Sequence, residues 1–265
     1  MGGDSALTLV KGRVFSFWLL VIVIGCLLYS MWKASKGGNV SIRKIAGLDS
    51  IEEAVGRATE MGRPVHYCPG LGGIGAVEAP QTFSGLAILS HIARLTARFD
   101  VPLIVTIRQP EVFPMAEETV RQAYLEEGKS DRYDPNNIRF LSSQQFAYAA
   151  ALLGIMARER PAANFMMGAF WAESLMLAEV GSEVGALQIT GTAQLSQVPF
   201  FVASSDYTLI GEELFAAAAY LSGDRMQLGS IVGQDMAKVI VAVLIIAGVV
   251  TRSFGSNFFG ELLSK

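Results

Sequence analysis

The sequence predicts a three-layer α/β domain with a mostly parallel, Rossmann-like sheet, flanked by an N-terminal and a C-terminal transmembrane helix. Three observations predict it. Short, continuously apolar strands such as VHYC from Val65 and PLIVTI from Pro102 alternate with amphipathic helical stretches, the pattern of a parallel sheet covered on both faces. Long uncharged or nearly uncharged runs stand near both ends of the chain. Finally, 51% of the 265 residues are hydrophobic and 17% are charged, where soluble domains carry about 25% charged residues. Two cysteines, Cys26 and Cys68, are too few for a disulfide framework or a multi-cysteine metal site.

The elements follow in order. A tail over 1–13 leads into Val14–Trp32, nineteen positions without a charge, enough to cross the ~30 Å hydrocarbon layer as one helix. A cleaved signal peptide would have a shorter apolar core ending in small residues. This run ends in Tyr29, Met31 and Trp32, which with Trp18 suit a retained anchor with interfacial aromatics. Residues 33–44 form a basic juxtamembrane segment (Lys33, Lys36, Arg43, Lys44). Only Lys11 and Arg13 precede the span, so the positive-inside bias places the main domain in the cytoplasm.

The α/β domain is expected over 45–230. A helix from Ile51 to Met61, opened by Ser50 and Glu53 in capping-box spacing, precedes the strand VHYC. The helix Phe83 to Phe99 leads to PLIVTI. A helix from Pro114 to Glu127 and the charged loop GKSDRYDPNN lead to IRFL, then to a helix opened by Ser142 and Gln145. NFMMGAFW from Asn164 reads as a strand, Ala172 to Val180 as a helix, Ala186 to Thr190 and PFFVAS from Pro199 as strands, and Leu209 to Leu221 as a helix. No repeat or long linker divides the region.

The second membrane segment is expected over 231–252, with a tail over 253–265. Its apolar run Val239 to Thr251 holds thirteen residues, which alone reach only about 20 Å. A buried core helix has that length too. A span is preferred because the run is apolar on every face and Lys238 and Arg252 can snorkel toward the interfaces.

Charge excludes one class of partner. Between Ile45 and Ser230 there are 12 basic and 21 acidic residues, a surface that repels phosphate backbones, so no nucleic-acid binding is expected. In a parallel sheet, ligands favour loops at the carboxyl ends of strands. The loop after VHYC carries Gly70, Gly72 and Gly75 in G-x-G-x-x-G spacing, with Gly73 among them. That spacing lets backbone amides approach a pyrophosphate, but Pro80 delays the helix that should follow at once, and Arg108 stands where an acidic residue is expected. Ligand-binding candidates are therefore Gly70, Gly72, Gly73, Gly75, Arg108 and Asp206, with capping as the ordinary role of Asp206.

His66 and Cys68 lie two apart on one strand face and read as packing or as a thiol paired with an imidazole. With His91 the only other histidine, zinc lacks ligands. Glu78, Glu111, Glu173, Asp206, Glu212 and Glu213 form a possible oxygen-ligand set for a cation without a supporting spacing. No metal is expected, and the sequence leaves a cofactor open. Gln234, Asp235 and Lys238 precede the second apolar run as a membrane-proximal contact. Asp235 and Lys238 have i, i+3 spacing, suited either to neutralising each other at the headgroups or to a contact between subunits.

The stretches RATEMGRPVHYCPG (Arg57 to Gly70), VPFFVASSDYTLIGEELFAAAAYLSGD (Val198 to Asp224) and LGSIVGQDMAK (Leu228 to Lys238) resemble a family of prokaryotic membrane proteins known only as a domain of unknown function. The resemblance implies a membrane-tethered α/β domain and carries no catalytic residue. The expectation is a membrane-anchored assembly or scaffold subunit, in contact with the lipid bilayer and with copies of itself or a membrane complex, and without an enzymatic signature. The alternative is a small-molecule or nucleotide-binding protein, and conceivably an enzyme, using the glycine loop. Transport is disfavoured because two spans cannot enclose a pathway without oligomerising.

Overall fold

A computed structural model describes residues 14–37, 46–75, 77–255 and 257. The tail 1–13, residues 38–44 of the basic segment with Arg43 and Lys44, and most of the tail 253–265 lie outside the described residues. Two compact units form: an α/β domain within 43–223, and a pair of long helices from the two ends of the chain.

The α/β unit holds α2 (Ala46–Met61), β1 (Val65–Cys68), α3 (Ala79–Arg98), β2 (Leu103–Ile107), α4 (Phe113–Glu126), β3 (Ile138–Phe140), α5 (Gln145–Glu159), β4 (Ala163–Met167), α6 (Ser174–Glu183), β5 (Leu187–Thr192), α7 (Val198–Ser204), β6 (Tyr207–Ile210) and α8 (Glu212–Ser222). All six strands are parallel, in the order β3-β2-β1-β4-β5-β6. The chain starts in the centre, winds outward through β2 and β3, then crosses back to β4. The topological switch therefore falls between β1 and β4, where doubly wound proteins place their ligands.

Alternation along each strand divides the core in two. Val65 and Tyr67 of β1 and Phe165 and Met167 of β4 meet Ile51 and Val55 of α2, Leu89 and Ile92 of α3 and Leu214 of α8. Cys68 and Met166 point the other way, toward Tyr148 and Leu152 of α5, Leu177 of α6 and Phe201 of α7. Two helical layers thus enclose the sheet, as expected of strands that are apolar on both faces.

Several boundaries differ from the sequence expectation for identifiable reasons. α2 starts one turn early because Leu48 continues the buried stripe Ile51, Val55, Ala58. Ser50 is therefore a buried helical residue and not a cap. Pro80 lies in the first turn of α3, where a missing N–H costs nothing, so it opens the helix rather than delaying it. Ser142 Oγ accepts from Gln144 N at 3.1 Å, and no capping box forms at α5. The run PFFVAS is not a strand. It is α7, with Pro199 in its first turn, Phe201 buried and Phe200 and Val202 exposed. The last strand is instead Tyr207–Ile210, and α8 begins after it, at Glu212 rather than Leu209.

The second unit pairs α1 (Val14–Ser35) with α9 (Arg225–Ser253). Asp224 caps α9, its carboxylate accepting from Met226 N at 2.8 Å. The helix thus runs well upstream of the thirteen apolar residues and reaches 29 residues, against 22 for α1. At ~1.5 Å per residue the two measure about 43 and 33 Å, and both are long and apolar enough to cross a membrane. Small residues line the seam: on α9 Gly229 faces Ser30 and Ala34 of α1 and Gly233 faces Cys26 and Leu27, and Gly229, Gly233, Ala237, Ser30 and Ala34 are all buried. This small-xxx-small spacing lets helix backbones approach closely.

Candidate functional site

At the switch point the loops after β1 and β4 cross backbone on backbone. Gly70 has φ +85°, and a Cβ there would lie 2.6 Å from Ala169 N. Gly168 has φ +147°, and its Cβ would overlap Pro69 O. Leu71 N donates to Ala169 O at 2.8 Å, which locks the crossing. These glycines let two chain segments touch in the position where a dinucleotide fold holds its ligand. Of the other predicted glycines, Gly72 packs on Thr82 and Ala169, Gly73 abuts the Glu111 carboxylate, and Gly75 faces open space.

Electrostatics at this edge are unfavourable for a phosphate. Glu78 occupies the N-cap of α3 and the Glu111 carboxylate lies against Gly73, so two acids flank the loop. Pro80 removes one of the amides a helix N-terminus would offer. Arg108 is engaged by the loops around it. Its Nη1 donates to Leu71 O at 2.8 Å and its Nε to Ser143 O at 3.1 Å, with the guanidinium 6.0 Å from the Trp171 ring. It struts one loop against another. Glu173 is fully buried beside them. Its Oε1 accepts from Trp171 N at 2.8 Å and its Oε2 from the Gln145 side-chain amide.

Asp206 is at the opposite edge. It precedes β6 rather than following the last strand, and its Oδ2 accepts from Gln188 N at 2.7 Å, fixing the amino ends of β5 and β6. The residues predicted as one ligand site are therefore split between the two ends of the sheet. The acidic set is also dispersed: Glu213 accepts from Ile210 N at 3.0 Å, and no group of three or more His, Cys, Asp or Glu able to hold a metal occurs among the described residues.

His66 and Cys68 share a face, and sequence reasoning missed what they join. Asn164 lies beside His66 in register and Gln188 beside Asn164, giving a buried polar row across β1, β4 and β5, extended by Thr106 of β2 and Tyr148 of α5. Asn164 Nδ2 donates to Gln188 Oε1 at 3.0 Å, so Asn164 Oδ1 is left to accept from His66 Nδ1 at 2.7 Å. His66 Nε2 then accepts from Thr106 Oγ1 at 2.9 Å. Tyr148 OH donates to Thr106 Oγ1 at 2.8 Å, and the Cys68 thiol donates to Tyr148 at 3.1 Å. Every donor in this chain is matched when His66 is neutral.

Burial, opposed by the Asn164 hydrogen bond, lowers the His66 pKa to about 4. Burial likewise raises the Cys68 thiol to about 12, against the lowering pull of Tyr148. An activated nucleophile needs the reverse shift, so the pair is built for packing. One signal was available in the sequence: His66, Thr106 and Asn164 are polar residues inside otherwise apolar strands, and Gln188 stands with Thr190 and Thr192 in the next.

In the helical unit, Gln234, Asp235 and Lys238 are exposed on α9. Lys238 Nζ lies 3.2 Å from Asp235 Oδ1, their side chains 50% and 66% exposed.

Fold and site together define a doubly wound α/β domain, its switch point filled by its own loops, carried on a chain with two helices of membrane-spanning length. The chain matches the family described as "Domain of unknown function (DUF6754)" over residues 6–263 and belongs to it. No curated protein matches it.

Proposed function

We propose that this protein is a membrane-anchored assembly or scaffold subunit whose α/β domain lies in the cytoplasm and associates with copies of itself or with a partner. One observation carries the reading. Large apolar side chains stand exposed on neighbouring elements at one side of the sheet: Leu175 and Met176 on α6, Leu195 before α7, Phe200 and Val202 on α7, and Ile210 on the edge strand β6. Exposed apolar groups grouped in this way mark association surfaces. The cytoplasmic side rests on the basic residues that follow the first span in sequence.

Native mass spectrometry of the full chain extracted in mild detergent is expected to show oligomers or a copurifying partner. Monomers alone would overturn the reading. Protease digestion of inside-out vesicles is expected to degrade the domain, and protection there would overturn its cytoplasmic placement.

A second reading, ligand binding at the glycine loop, is favoured by the strand order alone. Thermal-shift screening with nucleotides and acyl carriers would support it through a stabilisation lost in Gly72→Val. The filled crossing and the flanking acids favour no shift.

A further inference from the structure

We infer that the α9 face bearing Gln234, Asp235 and Lys238 pairs with the same face of a second copy at mid-depth in the bilayer. This rests on the reading above that α1 and α9 cross a membrane, and it names the partner that reading leaves open.

The depth follows from the helix register. A Cβ on Gly229 would lie 2.9 Å from Met31 Cα, and one on Gly233 2.9 Å from Leu27 Cα. Four residues forward on α9 match four back on α1, so the helices are antiparallel. The next step sets Ala237, buried at 7%, level with Val23. Val23 is the centre of the uncharged run Val14–Trp32, bounded in sequence by Arg13 and Lys33, which limits how far α1 can slide through the bilayer. Asp235 and Lys238 lie within ~3 Å of that level along the axis. The thirteen-residue apolar run alone had placed them at the headgroups; the partner helix places them near the middle.

There the charges need protein around them. Half of the hydrocarbon layer is about 15 Å, longer than a lysine side chain can snorkel. At 100° per residue, Gly233 and Ala237 turn toward α1 while Asp235 turns nearly opposite, and both charged side chains are at least half exposed. Ionisable groups within spans characteristically face other protein segments.

A second copy fits this face best because the face is self-complementary. It carries one acid, one base and one amide, and every copy inserted in the same direction holds them at the same depth. A two-fold axis along the membrane normal sets Asp235 of each copy against Lys238 of the other, with Gln234 alongside, and leaves neither charge in excess. An unrelated partner would have to supply the opposite charge pattern at that depth.

Charge exchange tests this. The full chain carrying Cys26→Ala and Gln234→Cys, in dilute phosphatidylcholine vesicles, is expected to form a disulfide-linked dimer on oxidation. Asp235→Lys and Lys238→Asp, each alone, should lower dimer yield about tenfold. Differently tagged copies of the two variants, mixed, should recover a mixed dimer. The neutral Asp235→Leu/Lys238→Leu chain, whose insertion is easier, should also lose the dimer. Single variants that crosslink like the parent, a mixture with no mixed dimer, or a neutral double variant that still crosslinks would each overturn the inference. Oligomers in native mass spectrometry with no crosslink at position 234 would sink this interface and leave the assembly reading standing; monomers throughout would sink both.

Discussion

Lowering the pH from 6.5 to 4 should destabilise this protein through one residue. Unfolded, His66 takes up a proton near pH 6.5; folded, it does so only near pH 4, because the imidazolium would be stripped of water and its new Nε2–H would point at the Thr106 hydroxyl, which itself donates to Nε2. Across this window the unfolded chain binds more protons than the folded one, so unfolding free energy falls as pH falls. At ~1.4 kcal/mol per pKa unit the loss is roughly 3 kcal/mol, a large share of the ~5–15 kcal/mol typical of a folded protein. His91, also shifted down by burial and by Arg94, acts in the same direction and must be removed from the comparison. The measurement is denaturant unfolding of the full His91→Gln chain in non-ionic detergent at pH 7.5, 5.5 and 4, with His91→Gln/His66→Gln as reference. The reference should be less stable at every pH, and the gap between the two should narrow steadily toward pH 4. Because the chain has two histidines, isotope-labelled imidazole signals report the same quantity directly. A constant gap, or a His66 ring that titrates near 6.5 in the folded protein, would refute the argument.

Other expectations follow from single contacts. Gly168→Ala should cost about 2–4 kcal/mol through overlap with Pro69 O and its positive φ, while Gly75→Ala, with nothing within 4 Å, should be neutral in the same thermal melts. In a Cys26→Ala background, Cys68 should resist maleimide in the folded protein and react fully once unfolded, scored by intact mass, since burial keeps its thiol protonated. Gly233→Ile, where a Cβ alone would lie 2.9 Å from Leu27 Cα, should force α1 and α9 apart and lower the melting point in detergent, while Gly25→Ile, with nothing within 4 Å, should leave it unchanged.

The architecture was legible because β1, β2 and β4 are continuous apolar runs between amphipathic helices, and that combination has few solutions other than a covered parallel sheet. The failure at Val198–Ser204 has a physical cause. Seven apolar and small residues carry too little periodicity to separate helix from strand, and the informative feature was Pro199, favoured in a first helical turn and unfavourable in a sheet interior. A strand at that segment would leave Asp206 after the last strand, whereas with α7 there Asp206 precedes β6. The C-terminal helix α9 is longer than its apolar run for a related reason: Asp224 fixes where it starts, and the polar residues Gln234, Asp235 and Lys238 interrupt the apolar run without interrupting the helix.

The glycines show how little spacing alone says about what each one does. Gly70, Gly72 and Gly75 satisfy the dinucleotide pattern, yet only Gly70 has the positive φ, and what presses on it is Ala169 from the next strand rather than room for a ligand. The demand that makes it glycine comes from Gly168, almost a hundred residues away, and no local pattern carries that information. Gly229 and Gly233 present the converse. Their four-residue spacing is a plain sequence signal, but its meaning depends on α1, on whose Met31 and Leu27 backbone they pack. Residues that define contact between distant segments are read from their partners. That is why the polar row and the seam between α1 and α9 emerged with the fold, while the glycine loop, the most conspicuous motif in the sequence, owes its Gly70 to a backbone crossing with Gly168 and Ala169.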